Sequence, residues 1–520
     1  MIANYSKDII RQLEEQTTKA DKLEKENKNL RAEVKFLRNQ FADFEENMNK
    51  RISDAVEKAI TPLREEIAVK NNEAIKANKE ISRLKAIINK DSGNSSKPPS
   101  TNGYKKVPNS REKTGNPAGG RKGHKGHRLT KPKNLNELVE KGLAEVRIID
   151  HTGGSTRYIS RWVADIEVNT VFTEHRFLKG SKLPKEFANE ITYGNNIKAM
   201  CTLLSVEGII ARERLAEFFR QITTGILAPS EATLGEFVNQ MAVVLDKEVD
   251  VIKNALLNGE VMHVDETPMK CGQTLEYNEN KEEPTLRTAQ ENTYTVTVRN
   301  YSNDLATLYT VNPKKDIAGI ERDGILPVFH GVLSHDHDKK FYNYGTNHST
   351  CGAHLVRELK GLNELYNSVW ADDMRHFMLQ LNEHKNHDLS LGRTACNPDM
   401  LLLFDKLYDE LVQTGEHEVS KIEFDGFGKK EISKLVKRLK NYKENYLLFI
   451  KDYKFPFTNN ISERDLRPGK TKQKVSGCFR SWRGIKTYTT VRSFISTVKK
   501  RGLNLLDSIK NIIEGAPVLN

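Results

Sequence analysis

Between residues 8 and 48, apolar or small residues recur alternately three and four positions apart: Ala20, Leu23, Asn27, Leu30, Val34, Leu37, Phe41, Phe44 and Met48. That spacing predicts a helix carrying a heptad seam. Leu23, Leu30 and Leu37 take the d positions. Asn27 falls at an a position, where a buried amide costs stability but favours a parallel pair in one register. A lone amphipathic helix folded onto the body is the alternative. The spacing slips through Ile52 and Val56, Pro62 kinks or restarts the helix, and a second seam follows in Leu63, Ile67, Ala74, Ala77, Ile81, Leu84 and Ile88. Residues 1–90 are therefore expected to form a coiled-coil oligomerisation region that makes the chain a homo-oligomer, a dimer.

The pattern then breaks. Residues 91–135 are rich in Gly, Pro, Ser and Asn with almost nothing to bury, and predict an extended arm. Residues 136–190 contain two strand-like pieces, Val146–Ile149 and Ile166–Val168, in a small domain of no assignable type. Residues 191–255 show helical spacing through Ile197, Met200, Leu203, Leu204 and Ile209, then Leu234, Phe237, Met241 and Leu245, with Ser230 as a helix cap.

From residue 256 the period changes again. A short apolar run ends at Asp265, an irregular polar loop spans 271–291, and strands are expected at 294–298 and 306–311. A helix over 313–322 and a strand over 331–335 ending at Asp336 complete the series. Antiparallel strands followed by a helix and a further strand are the order of a ribonuclease-H-like sheet, in which the first and fourth strands lie side by side. Asp265 and Asp336 would then meet. Residues 346–458 are mostly helix-prone and too long for the rest of a simple sheet, so they read as a helical insertion before the core resumes at 459–520. The expected class is a multidomain mixed α/β protein, with the ribonuclease-H-like core in two parts, 256–345 and 459–520.

Asp265 in VMHVDETP, Asp336 in LSHDHDKK and Glu463 in NNISERDLRP each sit at the end or start of a different expected element. Together they suggest a carboxylate cage for two Mg²⁺ ions about 3.5–4 Å apart, which would activate water in phosphodiester chemistry. Mn²⁺ is expected to substitute. Each acid has a plainer reading: Asp265 and Asp336 as turn or strand-end residues, and Glu463 as half of a capping box with Asn460. Glu266 and Asp465, by strand alternation and helical spacing, should point elsewhere.

Charge sharpens the picture. The chain has a net charge of +12, yet residues 97–133 carry 11 basic residues against 1 acidic, and residues 463–510 carry 13 against 3. Two concentrated basic segments favour a polyanionic partner. Lys105, Lys106, Arg111, Arg121, Lys122, Lys125 and Arg128 in the arm, with Lys131, are placed to grip phosphates without reading sequence, unless the arm is a plain linker. Arg464, Arg467, Lys470, Lys472 and Lys474 follow Glu463 and could hold phosphates near a scissile bond. Trp482 is available either to stack on an unpaired base or to pack in the core. The 5 cysteines contain no CxxC pair, which argues against a disulfide framework or a zinc ribbon. Cys351 and His354, preceded by His348, invite a zinc reading, but a helix with half-buried Cys and His is the stronger one, so zinc is not expected. No signal peptide or run of roughly 20 apolar residues appears, so a soluble protein of the cytoplasm, associated with the nucleoid, is expected.

The motifs resemble those of the insertion-sequence-66-type DDE transposases. DSGNSSKPPS and NPAGGRKGHKGH are similar to that family's amino-terminal motifs, VDETP to its first-acid motif, and HDHDKKFY with CGAHLVREL to its second. NNISERDLRPGKTKQKVSGCFRS is similar to the third-acid motif and the basic turn beyond it. The resemblance spans about residues 90–510. It implies a DNA transposase that cleaves element ends and transfers strands, with Asp265, Asp336 and Glu463 as catalytic acids, Arg357 facing DNA, and helper proteins encoded alongside. Two departures stand out. Family members commonly carry a cysteine-rich zinc finger after GHKGH, whereas residues 129–200 contain no cysteine. The aromatic often found two residues after the second acid is Asp338, which leaves a second carboxylate competing for that role. A transposase-derived DNA-binding protein without catalysis is the alternative.

Overall fold

The computed structural model describes residues 14–35, 38, 50, short stretches between 76 and 94, and 130–519 apart from 154–155, 158, 279–282 and 423–426. The arm residues Lys105, Lys106, Arg111, Arg121, Lys122, Lys125 and Arg128 lie outside the described residues, as do Leu37 and most of the first-seam positions after it. The chain divides into two compact units, Met1–Ile88 and Asn89–Asn520.

In the first unit residues 14–35 are helical. Leu23, Leu30 and Val34 are 59%, 56% and 48% exposed, and Asn27 is exposed beside them, so the seam faces solvent in the single chain.

The second unit is built on a five-stranded mixed sheet of order β5-β4-β1-β6-β7. Its strands are β1 (Val261–Cys271), β4 (Tyr294–Ser302), β5 (Thr307–Asn312), β6 (Val332–His335) and β7 (Asn347–Thr350). β1 runs antiparallel to β4 and β4 to β5, whereas β6 pairs parallel to β1 and β7 parallel to β6. β4, flanked by β5 and the central strand β1, is buried from Val296 to Ser302, its polar Arg299 and Asn300 included.

Four helices precede the sheet: α2 (Asn195–Val206), α3 (Arg212–Ile222), α4 (Glu231–Val244) and α5 (Asp246–Leu257); a short helix α1 (Leu135–Glu140) lies further upstream. Ser230 caps α4 by accepting from Thr233 N–H, as its position before the apolar run suggested. Within the sheet region the helix α6 (Ile317–Asp323) links β5 to β6 and ends in the left-handed Gly324 at φ 65°. The insertion comprises α7 (Gly352–Tyr366), α8 (Val369–Ser390), α9 (Pro398–Lys421), α10 (Phe427–Asn441) and α11 (Lys443–Lys451), and the chain ends with α12 (Asn460–Ser476), α13 (Trp482–Lys500) and α14 (Leu505–Ile513).

Two hydrophobic cores result. One joins α2–α5, the sheet and α13–α14 around Leu245, Ile252, Val298, Phe494 and Ile495; the other holds the insertion together around Leu359, Trp370, Met374, Tyr408 and Leu439. The helices before the sheet are thus part of the sheet's own core. α13 also closes the sheet edge: Thr307 N–H donates to Thr497 Oγ1 at 3.1 Å and Tyr309 N–H to Ser493 Oγ at 2.8 Å. Hydroxyls on the helix take the place of a neighbouring strand.

Four expectations need correction. β1 does not stop at Asp265 but continues to Cys271, because its pairing with β4 persists after β6 has left its other side. That bared edge also tolerates Pro268. The polar loop 271–291 contains a hairpin of β2 (Gln273–Glu276) and β3 (Thr285–Thr288). Val146–Ile149 and Ile166–Val168 form no strand: Ile148, Ile149 and Ile166 stand exposed, and no partner edge pairs with them among the described residues. Short β-prone runs do not order without a neighbouring edge. The helix expected over 313–322 begins only at Ile317, where Asp316 caps it through Gly319 N–H.

Candidate active site

The parallel register of β1 and β6 brings the first two acids together. His263 lies opposite Ser334, so two residues further on Asp265 comes level with Asp336, on the same face and at the same end. The third acid arrives on α12, where Glu463 occupies the first turn. Asn459, fully buried, fixes that arrival: its Oδ1 meets His263 Nδ1 at 2.8 Å, its Nδ2 donates to Val264 O at 2.9 Å, and its backbone N–H points at Cys351 Sγ at 3.2 Å. One residue thereby ties β1, α12 and the start of α7, the first through its side chain and the last through its backbone N–H. Further along α12, Ser462 donates to Asn300 Oδ1 at 2.8 Å, and Asn300 Nδ2 donates back to Ser462 O at 3.0 Å.

Asp265, Asp336 and Glu463 are each partly accessible. Burial, then the negative charge of Asp336 and, after an opposing bond from Glu266 N–H, that of Glu463, push the Asp265 carboxyl well above its usual range. Both strand acids also make local turn bonds: Asp265 Oδ1 accepts from Glu266 N–H at 2.7 Å and Asp336 Oδ1 from Asp338 N–H at 3.2 Å. Those bonds use one oxygen of each. Glu463 makes no capping box with Asn460, because the cap position is Asn459 and no side chain caps this helix. Its Oε1 instead faces His354 Nδ1 at 3.4 Å, Arg357 at 3.6 Å and Cys351 Sγ at 3.9 Å. Burial, with Arg357 nearby, depresses His354, and burial pushes the Cys351 thiol up to about 11.

The neighbouring acids are engaged elsewhere. Glu266 points into a buried cluster with Arg299 (2.9 Å), Lys315 (3.1 Å) and Lys340, and Arg299 also pairs with Asp323. Asp338 caps the turn Lys339–Asn343 and is paired with Lys315 and Lys340, each at 3.2 Å. Burial acts to raise the Asp338 carboxyl, but the two lysines outweigh it and hold it below the usual range. Asp465 accepts from Ser302 and Thr307 and pairs with Lys500 at 2.9 Å.

The basic residues divide into two groups. Arg464, Arg467 and Lys474 are exposed at helical spacing on α12 and form one stripe beside Glu463. Lys470 and Lys472 are turned inward, onto the carbonyls of Pro268 and, at 3.1 Å, Ser205; burial lowers both ammonium groups. Arg357 bonds Ala353 O at 3.1 Å and leans on Glu463. Trp482 packs against the sheet core, its backbone N–H donating to Gln273.

Residues of the HDHD stretch that sequence reasoning passed over hold the Asp336 loop. His335 is buried against Phe341, Tyr342 and His348, and burial, reinforced by His348 and His337, depresses it to about 3. His337 adopts φ 72°, bonds Tyr342 Oη at 2.7 Å and meets the ring of Tyr442 edge-on at 4.7 Å, which links the second acid's loop to the insertion. The alternation of His and Asp in the sequence was the available signal: the histidines lock the loop while the acids face out.

A parallel strand pair presenting two carboxylates, met by a third on a crossing helix, defines a candidate acid-centred site on a mixed α/β core. The family description "Transposase IS66 family" matches residues 191–487, more than half of the chain, and the protein belongs to that family of transposases. No curated protein matches. The solved "Drosophila P element transposase strand transfer complex" is similar at 10% identity over 62% of this chain and 95% of its own, with a TM-score of 0.29, too low to carry an argument. Among the described residues no helix is long and apolar enough to cross a membrane.

Proposed function

We propose that this transposase cleaves DNA at the ends of its element and joins the freed ends to target DNA, using Asp265, Asp336 and Glu463 on a ribonuclease-H-like core. The observation that carries the reading is the β1–β6 register, which sets Asp265 beside Asp336, together with the α12 placement of Glu463, close enough for both charges to raise Asp265. The sheet order β5-β4-β1-β6-β7, antiparallel on one side of β1 and parallel on the other, supports that reading of the core.

The donor set fits Mg²⁺ or Mn²⁺. Three hard oxygen donors lie near enough for Asp336 and Glu463 both to raise Asp265, a crowding that calls for a positive charge. Glu266, Asp338 and Asp465 are already paired with lysine or arginine, whereas of the three donors Glu463 alone leans on one among the described residues, Arg357. Bound there, divalent metal would polarise the phosphodiester and lower the pKa of the attacking water or 3′-hydroxyl. The protein's own groups do the rest. Asn459 holds Glu463 against β1, Lys315 offsets part of the charge on the acids, and the Arg464, Arg467 and Lys474 stripe would hold phosphates by charge-assisted contacts. Arg357, beside Glu463, is placed to meet a phosphate entering the pocket.

Outside the pocket the reading includes a basic arm that tracks phosphates, a dimer formed through the heptads, Leu23, Asn27, Leu30, Val34 and Leu37 among them, and association with the nucleoid. The deciding experiment is a Mg²⁺-dependent cleavage assay on the terminal sequences of the protein's own element. Cleavage lost in Asp265→Asn with DNA binding retained supports the reading; binding without cleavage in the unaltered chain would leave a DNA-binding protein derived from a transposase.

A further inference from the structure

The α8–α9 connection of the helical insertion gathers an imidazole, a carboxylate and a thiol that the acid pocket does not use. We propose that His384, Asp388 and Cys396 form a second metal site, one that takes a tetrahedral, thiolate-accepting divalent ion: Zn²⁺ by its chemistry. His384 and Asp388 lie one turn apart on α8, so they share a face. The chain leaves α8 at Ser390, reverses through Gly392 at φ 76°, and returns Cys396 to that face immediately before Asn397 caps α9. Sequence spacing gave no sign of this, because the thiol comes back through a loop rather than by a helical repeat.

The geometry suits a small ion. The three donor atoms lie within 4.8 Å of one another. His384 Nε2 is 3.7 Å from Cys396 Sγ and 3.5 Å from Asp388 Oδ2. Tetrahedral zinc with bonds of about 2.0–2.3 Å places its ligand atoms roughly 3.3–3.7 Å apart, so the two edges at His384 match it and the Asp388–Cys396 edge, within 4.8 Å, has at most a small closure to make. Asp388 and Cys396 are buried and His384 is partly exposed, which leaves the fourth position towards water.

The surroundings orient the donors. Arg393 bonds Asp388 Oδ1 at 2.7 Å and the Tyr453 hydroxyl donates to Oδ2 at 2.8 Å, while the His384 ring meets Phe404 edge-on at 5.2 Å. Such outer contacts fix ligand direction. Imidazole plus thiolate selects zinc over magnesium, so the site is chemically separate from the three acids. Burial pushes the Cys396 thiol up, and binding would therefore release its proton and strengthen as pH rises. The bound ion would staple the α8–α9 loop to α8.

The test uses the full chain, stripped with chelator and titrated with Co²⁺ as a coloured substitute for Zn²⁺. One equivalent should give a thiolate-to-metal charge-transfer band that Zn²⁺ abolishes and excess Mg²⁺ does not. Cys396→Ser should remove the band. His384→Ala should weaken binding by more than about 100-fold, beyond the 10–100-fold usual for an outer partner. Cys351→Ser is the control, since Cys351, His354 and Glu463 are the other close trio among the described residues. A band that is absent, that survives Cys396→Ser, or that vanishes in Cys351→Ser overturns the proposal. Alkylation of Cys396 in the unaltered protein, read by peptide mass, needs no variant. Zn²⁺ should slow it about tenfold or more, and an unchanged rate would equally overturn it.

Discussion

On one side of β1 Asp336 and Glu463 crowd the carboxylate of Asp265, and of the three Glu463 alone has an arginine or lysine partner among the described residues, Arg357 at 3.6 Å; one or two residues away in each motif, Glu266, Asp338 and Asp465 are each matched to a lysine or arginine at 2.9–3.2 Å. Strand alternation sends Glu266 through the sheet to Arg299, which is fully buried, while Asp265 stays on the accessible face. Helical spacing does the same for Glu463 and Asp465, about 200° apart around α12. The difference teaches that an acid's role here follows from whether the fold supplies a counter-charge. Buried pairing rigidifies the core, and a carboxylate left unpaired in company is costly unless a cation completes it.

The contrast can be broken most forcefully by catalysis. Asp265→Asn, Asp336→Asn and Glu463→Gln should each lower cleavage by about 10³-fold or more, on the order of 4 kcal/mol, with DNA binding within a few fold. Asp338→Asn should cost far less, because its partners are lysines rather than the pocket. Activity that survives Asp336→Asn but not Asp338→Asn would exchange their roles.

Next in size is the buried seam. Arg299→Met leaves Glu266 and Asp323 buried without their guanidinium and should destabilise the fold by roughly 3–5 kcal/mol in urea unfolding. Adding Glu266→Gln should recover part of that loss; strict additivity of the two changes would mean that the pair is not coupled.

Asn459→Ala removes two buried side-chain bonds at once, leaving its backbone N–H on Cys351 Sγ, and should cost roughly 2–3 kcal/mol. Cleavage should fall further than stability accounts for, since Glu463 loses its anchor. Equal, small losses in both would reduce Asn459 to ordinary packing.

The smallest effect has the opposite sign. The folded Asp265 carboxyl titrates above its unfolded value, so the folded state holds its proton longer, and metal-free stability falls as pH rises from about 4 towards that raised value. In chelator, Asp265→Asn should raise Tm slightly at neutral pH, and the gain should disappear below about pH 4. Mg²⁺ should then stabilise the unaltered chain and not the variant. A variant less stable than the unaltered chain at neutral pH would contradict the charge-crowding account.

Much of the central fold was readable because its strands follow period two between turn residues: β4 and β5 fall within a few residues of their expected places, and the strand order set Asp265 beside Asp336. The misses have physical causes. β1 was cut short because the polar Asp265 looked like a strand end, when pairing with β4 carries it on to Cys271. The 146–149 and 166–168 runs have β propensity but pair with no strand edge among the described residues. Glu463 and Asn460 have capping-box spacing, but the cap position falls one residue earlier, at Asn459, and the helix itself begins at Asn460.

By itself the sequence determined the periodicities, the order of elements and the three motif acids, because these depend on neighbours three or four residues away or on alternation along a strand. It also determined the family, through motifs kept in order along the chain. Tertiary structure alone decided which acids are neutralised, that Asn459 joins β1 to α12, that Lys470 and Lys472 turn inward while Arg464 and Arg467 face out, and that His384, Asp388 and Cys396 meet. Each of those depends on contacts between residues far apart in the chain, whose proximity local spacing does not encode.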